Sequence, residues 1–149
     1  MADAMSTIQR KPGDHKFEAV HESEREWETL RFPGQWSKML FHPRPERPTE
    51  PNAGLVRYDP GSHHPLHRHD FAQVWYVLEG VFAIDGRTYG PGTMIFHPDP
   101  HFEDELRTET GGVILYVQYQ GPTTGGRPIY DGRFNVKVRK AIGEERLDI

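Results

Sequence analysis

The chain has 149 residues, a formal net charge of −4 and 35% hydrophobic residues. It contains no cysteine, which excludes disulfides, zinc–thiolate sites and thiol catalysis and slightly favours a cytoplasmic setting. The length favours one domain, and the acidic balance gives no reason to expect nucleic acid or an anionic membrane as a partner. No apolar run approaches the length of a membrane helix.

The N-terminal residues are polar and offer almost nothing to bury, so we expect residues 1–20 to form a mobile arm. This arm lacks the apolar stretch of a secretory signal. Residues 21–149 are expected to form one folded domain, with its core at 36–120 and a C-terminal extension at 121–149. Within this domain, residues 21–30 (HESEREWETL) predict a short turn of helix.

The rest of the chain predicts short strands separated by glycine- and proline-rich turns. The predicted strands span residues 36–42, 53–58, 72–78, 81–85, 93–97, 102–107, 113–119 and 134–139. Many short strands at this spacing are typical of an all-β sandwich or barrel, and no long amphipathic helix pattern competes. Residues 121–133 predict an irregular connecting loop.

Four of the nine histidines fall in the stretch HHPLHRH, just before an apolar strand. Side chains two apart on a strand share a face, so His67 and His69 would lie roughly 6–7 Å apart at their Cα atoms. Two imidazoles at that separation can converge on one metal ion. Gln73 has the same parity if the strand continues. A third imidazole must come from a remote strand; His101 is favoured, and His97 is its rival.

This segment is similar to the first motif of the cupin superfamily, in which a glycine, a His-x-His pair, a glutamate and a second glycine recur at fixed spacing. The corresponding residues are Gly61, His67, His69, Gln73 and Gly80. The residues that resemble the second motif are Gly92, Pro98 and His101. The stretches GLVRYDPG and VWYVLEG are similar to the subgroup that contains ChrR-type cupins and diketone- and acetophenone-cleaving dioxygenases. The resemblance implies a single-domain double-stranded β-helix, a jelly-roll-like barrel with a metal ion inside.

The motif residues depart from the family pattern at two points. Gln73 stands where the family usually has a glutamate ligand; because an amide is a neutral, weaker donor, Gln73 either ligates weakly or holds a metal-bound water. The turn between Pro98 and His101 is two residues shorter than the pattern. The resemblance therefore implies a metal set of His67, His69 and His101, with Gln73 beside it.

Other side chains near the motifs have simpler expected roles. The candidate substrate-pocket residues are Trp75, Phe96 and His97. We expect His63 and His64 to lie in a solvated loop. Glu105 stands where the family often has asparagine, and we expect it to be a solvated carboxylate on a strand.

The resemblance implies a metal-dependent enzyme, and the leading hypothesis is a mononuclear non-haem iron dioxygenase acting on a small diketone, enol, or aromatic ketone or acid. One divalent ion per chain is expected, Fe(II) in preference to Zn, Ni or Mn. The alternatives are a non-catalytic, sensor-type cupin that binds a metal or small ligand, and a metal-dependent isomerase or lyase. The expected partners are a small-molecule substrate and a second copy in a homodimer, with neither nucleic acid nor membrane.

Overall fold

The computed structural model of the protein describes residues 7–44, 46–47, 49–69 and 71–119. The described residues contain twelve strands and a 3-10 turn at Glu22–Glu24. The strands are β1 Glu28–Thr29, β2 Gln35–Phe41, β3 Asn52–Tyr58, β4 Ser62–His64, β5 His67–His69, β6 Gln73–Gly80, β7 Phe82–Ile84, β8 Arg87–Tyr89, β9 Met94–His97, β10 His101–Glu103, β11 Leu106–Thr108 and β12 Gly112–Gln118. Within these residues there is no α-helix, and so no helix that could cross a membrane.

The strands pair antiparallel and form three sheets. The largest sheet has six strands in the order β1-β2-β3-β12-β6-β9, and a second has four in the order β4-β11-β7-β8. Strands β5 and β10 form a two-stranded sheet of their own. Because β12 lies between β3 and β6, the last described strand joins two parts of the chain that are distant in sequence. The predicted all-β architecture is confirmed.

The core lies between the inner face of the six-stranded sheet and the four-stranded sheet. Alternation along β6 buries Trp75 and Val77 and leaves Tyr76, between them, exposed. From the opposite sheet, the fully buried Phe82 meets Tyr58 edge-on, with the ring centroids 5.5 Å apart. Burying one side chain of this size contributes about 1.5–3 kcal/mol to folding. These contacts hold the two sheets together around an interior space.

Two of the motif glycines are required by the path of the backbone. Gly61 and Gly80 both have φ of +81°, in the left-handed region that favours glycine. At Gly80, moreover, a Cβ atom would collide with the backbone carbonyl of Gly111. Gly61 makes the turn into β4, and its N–H donates to the carbonyl of Thr108 at 2.8 Å. The glycines that bound the first motif therefore mark turns that other residues would strain.

Six of the eight predicted strands coincide with observed strands to within two residues at each end. The predicted strand 102–107 is instead two strands, β10 and β11, interrupted at Asp104 and Glu105. The predicted strand at 134–139 and the loop at 121–133 lie outside the described residues.

One local prediction is wrong. His63 and His64 belong to β4 rather than to a solvated loop, and His63 is fully buried because β4 pairs with β11. The short turn of helix predicted within residues 21–30 is present as the 3-10 turn Glu22–Glu24, and strand β1 follows it. Residues 7–20 carry no regular secondary structure. The mobility of the arm and the limits of the core and extension stay predictions.

Candidate metal centre

The two-stranded sheet brings four metal-ligating side chains onto one face. Strands β5 and β10 each show a buried–exposed–buried pattern along three residues. Their register places His101 opposite His69 and Glu103 opposite His67. Because side chains two apart on a strand share a face, the three imidazoles and the carboxylate all turn inward.

The Nε2 atoms of the three histidines converge on the carboxylate of Glu103. His69 Nε2 lies 2.8 Å from Oε2, His101 Nε2 lies 3.0 Å from the same oxygen, and His67 Nε2 lies 3.3 Å from Oε1. The Nε2 atoms of His67 and His69 are themselves 3.1 Å apart. One ligand atom from each of His67, His69 and Glu103 therefore lies within 4.8 Å of the other two.

Backbone carbonyls fix the orientation of two of these rings. His67 Nδ1 is 2.9 Å from the carbonyl oxygen of Pro65, and His101 Nδ1 is 2.7 Å from that of Pro98 and 3.0 Å from that of Phe71. A carbonyl only accepts, so Nδ1 carries the proton in both rings. In the neutral imidazole the lone pair is then on Nε2, the atom that faces Glu103.

The charge states of the cluster are set by burial and by the carboxylate. Burial acts to raise the pKa of Glu103, but the charge of His67 and hydrogen bonds from the imidazoles hold it well below its usual range. Burial lowers the pKa of His69. For His101 burial acts in the same direction, but the hydrogen bond to Glu103, the charge of Glu103 and the backbone carbonyls of Pro98 and Phe71 together outweigh it and raise the pKa.

The donor set fits a divalent cation. Imidazole nitrogen lone pairs directed at one another and at a carboxylate repel unless a positive charge lies among them. A metal ion would supply that charge, and its binding requires neutral imidazoles and an ionised carboxylate. His67, His69, His101 and Glu103 are the residues that would hold it. Imidazole suits iron, copper, nickel and zinc, so these residues do not select one metal.

The centre borders a cavity of about 580 Å³. His67, His69 and Glu103 form part of its wall. The apolar side chains that line the cavity include Leu30, Met39, Val56, Trp75 and Ile114. The polar ones include Arg31, Gln35, Ser37, Gln73 and Gln118. A largely apolar cavity with a few polar groups is the usual form of a small-molecule site.

The remaining predicted site residues fall in different places. Gln73 is buried and lines the cavity, where its Nε2 donates to Gln118 Oε1 at 2.7 Å. Its role as a ligand stays a prediction. Trp75 lines the cavity, and its contact with a substrate stays a prediction. Phe96 does not: it is 68% exposed, because it lies opposite Val74 on the outer side of the sheet.

His97, the rival third ligand, lies behind His101. The two rings stack with centroids 4.6 Å apart and planes 24° apart, and His97 also meets Trp75 edge-on at 4.4 Å. Burial lowers the pKa of His97 to about 4. The structure therefore brings His101, rather than His97, into contact with Glu103.

Glu103 is the site residue that the sequence analysis missed. It is 6% exposed, whereas Glu105, the carboxylate considered from the sequence, contacts His63 and Arg107 away from the centre. The signal that identifies Glu103 is its spacing, because it follows His101 by two residues on the same strand. His101 and Glu103 in HFE are two residues apart, as are His67 and His69 in HRH, so each pair shares one face of its strand.

The sequence itself matches a known family over most of its length. The family model of the ChrR cupin-like domain matches residues 15–123, which include every strand of the structure. The chain belongs to the ChrR cupin-like domain family. No curated protein is similar enough in sequence to match it.

Solved structures place this ChrR cupin-like domain among cupin folds. An RmlC-like cupin from Shewanella frigidimarina is 26% identical, with a TM-score of 0.58 over 72% of this chain and 95% of its own. An acetylacetone dioxygenase from Acinetobacter johnsonii is 14% identical, with a TM-score of 0.58 over 78% of this chain and 81% of its own. A chain of the Rhodobacter sphaeroides SigE–ChrR complex is 22% identical, with a TM-score of 0.50 over 61% of this chain and 46% of its own. These similarities confirm the predicted cupin fold.

Proposed function

We propose that the protein is a metal-dependent cupin enzyme, a mononuclear non-haem iron dioxygenase that acts on a small diketone, enol, or aromatic ketone or acid. The observation that carries the proposal is the convergence of His67, His69, His101 and Glu103 at the wall of an apolar cavity. The centre has the histidine and carboxylate donors of the two-histidine, one-carboxylate set of non-haem Fe(II) oxygenases, with one further imidazole.

The protein's own residues would bind, orient and shelter the substrate. Apolar side chains such as Met39, Val56 and Ile114 suit a hydrocarbon or aromatic body, and Trp75 offers a flat surface. These apolar surfaces would limit the water around a bound substrate near the centre. A bound Fe(II) ion would supply Lewis-acid polarisation of a substrate oxygen and one-electron chemistry with molecular oxygen.

The test begins with the metal and continues with oxygen consumption. Tag-free protein is analysed for metals by mass spectrometry, beside His67→Ala and His101→Ala; His97→Phe is the matched control, since His97 stacks on a ligand without contacting Glu103. We expect about one equivalent of metal in the wild type and in His97→Phe, and little in the two alanine variants. Fe(II)-loaded protein should then consume oxygen with acetylacetone or 4-hydroxyacetophenone, and the alanine variants should not.

Other outcomes would redirect the assignment. Iron without oxygen consumption would favour an isomerase or lyase. Absence of metal even after anaerobic reconstitution would overturn the proposal.

A sensor-type function is the second candidate, and the family match over residues 15–123 favours it. In that case the cavity would bind a metal or small ligand without turning it over. Zinc in the purified protein, together with no reaction of the iron-loaded form with any of the ketones, would support the sensor over the enzyme.

A further inference from the structure

A row of polar side chains crosses the inner face of the six-stranded sheet beside the metal centre. The register places Gln118 of β12 between Asn52 of β3 and Gln73 of β6, and Gln73 opposite His97 of β9. Residues paired across strands point to the same side of a sheet, so the row faces the interior. Four polar side chains in succession are unexpected on a face that carries Trp75 in the next row and Val56 and Ile114 in the row beyond it.

Three atoms of this row are buried without a hydrogen-bond partner among the described residues. They are Asn52 Nδ2, Gln73 Oε1 and His97 Nε2. Leaving a buried polar atom unsatisfied costs about 1–3 kcal/mol, so such atoms call for an explanation. Of the three residues, Gln73 is the one whose side chain lines the cavity.

The side-chain amide of Gln73 is hydrogen-bonded at its nitrogen and has no hydrogen-bond partner among the described residues at its buried oxygen. Its Nε2 donates to Gln118 Oε1 at 2.7 Å, while Oε1 has no partner among the described residues. Gln35 provides a comparison within the same cavity. Its Nε2 donates to the carbonyl of His63 at 2.9 Å, and its Oε1 lies 2.9 Å from His64 Nδ1, so both ends of that amide are used by the fold.

We propose that Gln73 is a substrate-binding residue rather than a metal ligand: its Oε1 accepts a hydrogen bond from a hydroxyl or enol group of the substrate. Gln118 holds the amide in place for this contact. The inference rests on the proposed function and narrows its substrate class to ketones that carry a hydroxyl or enol donor. A neutral amide suits this task, because it accepts from a hydroxyl without taking up its proton. The carboxylate that the centre needs is provided separately by Glu103.

Two ligands that differ by one hydrogen-bonding group test the proposal. The full chain is loaded with Zn²⁺, which has no redox chemistry, and titrated calorimetrically with 4-hydroxyacetophenone and 4-methylacetophenone. We expect the hydroxyl compound to bind about 3- to 10-fold more tightly, the range that one neutral hydrogen bond gives.

Matched variants assign this preference to one amide. Gln73→Met, which keeps the length of the side chain, should bring the two affinities to within about 2-fold of each other. Gln118→Met should also weaken the preference, and it provides a second test if Gln73→Met does not fold. Gln9→Met makes the same substitution at an exposed residue outside the cavity and should keep the preference. Circular dichroism checks the fold of each variant, and elemental analysis gives its zinc content.

Each contrary result overturns the proposal. Equal affinities in the wild type, or failure of the zinc-loaded protein to bind either ketone, would exclude the hydroxyl contact. If Gln73→Met still binds the hydroxyl compound more tightly, another residue makes the hydrogen bond to the hydroxyl group. If Gln73→Met loses its zinc, Gln73 is a metal ligand. None of these results bears on whether the wild-type protein binds a metal, which elemental analysis decides by itself, so the two proposals fail separately.

Discussion

In the two proposals, Glu103 would bind the metal and Gln73 would contact the substrate, two tasks that a single glutamate could otherwise combine. The first motif presents a neutral amide at Gln73, and the carboxylate comes from β10, where Glu103 lies opposite His67. Glu103 contacts all three imidazoles, whereas Gln73 is hydrogen-bonded to Gln118. The centre therefore combines one negative charge with three neutral donors, a combination that leaves a divalent ion with one net positive charge.

Replacing this carboxylate by its amide should remove the metal. We expect Glu103→Gln to weaken metal binding by at least about 100-fold. Replacing a residue that only hydrogen-bonds to a ligand typically weakens metal binding by about 10- to 100-fold, and loss of a ligand itself should weaken it at least as much. Glu105→Gln is the matched control, because Glu105 lies two residues away and pairs with Arg107. Competition with a chromogenic chelator measures both affinities. Equal affinities in the two variants would show that Glu103 is not a ligand.

At the scale of elements, β5 and β10 show what could be predicted from the sequence and what could not. The spacing of His67 and His69 predicts a shared face, and the structure confirms it. The register between β5 and β10 cannot be deduced in this way, because it depends on turns and packing more than 30 residues apart. Glu103 had the right parity with His101, but only this register shows that it lies opposite His67.

The longer strands were predictable for a different reason. Strands such as β3, β6 and β12 have seven or eight residues bounded by glycine or proline, so alternation and turn residues define them. The three-residue strands β4 and β8 are too short to show a period. His63 is buried because β4 pairs with β11. This pairing joins residues more than 40 positions apart, so the local sequence does not reveal it.

Gly54 of β3 leaves room for the backbone of β2 and for the side chain of Tyr116, which lines the cavity. A Cβ atom at this position would lie 2.5 Å from the carbonyl oxygen of Lys38 and 2.9 Å from the hydroxyl of Tyr116, which lines the cavity. We expect Gly54→Ala to lower the free energy of unfolding by about 1–3 kcal/mol, because β2 and Tyr116 must both shift. Gly90→Ala is the control, since a Cβ there meets nothing within 4 Å. Urea denaturation measures both, and equal midpoints would show that β2 and β3 tolerate the extra atom.

At the scale of the whole molecule, the outer face of the six-stranded sheet carries exposed apolar side chains at one end. Tyr76 lies opposite Met94, and Val74 lies opposite Phe96, which is 68% exposed. Contiguous exposed apolar surface commonly marks an interaction site. We therefore keep the prediction of a homodimer and place its contact on β6 and β9.

Sedimentation of the full chain tests the dimer. The wild type should sediment as a dimer, and Phe96→Glu should shift it towards the 17.2 kDa monomer, because a charge would then be buried in the contact. Phe102→Glu is the matched control, since Phe102 is equally exposed but belongs to β10. A wild type that sediments only as monomer would reject the dimer, and a dimer that survives Phe96→Glu would move its contact elsewhere.

A metal ion would join β5 to β10, and so tie together two parts of the barrel that are far apart in sequence. Binding to the folded state alone stabilises it, by about 2.7 kcal/mol at a metal concentration 100 times the dissociation constant. For a chain of this size that corresponds to a rise of roughly 5–10 °C in Tm. We expect a chelator to lower the Tm of the wild type by this amount and to leave His67→Ala unchanged, as scanning calorimetry would show. An equal fall in both proteins would place the stabilising ion elsewhere, because His67 is one of the ligands that this centre requires.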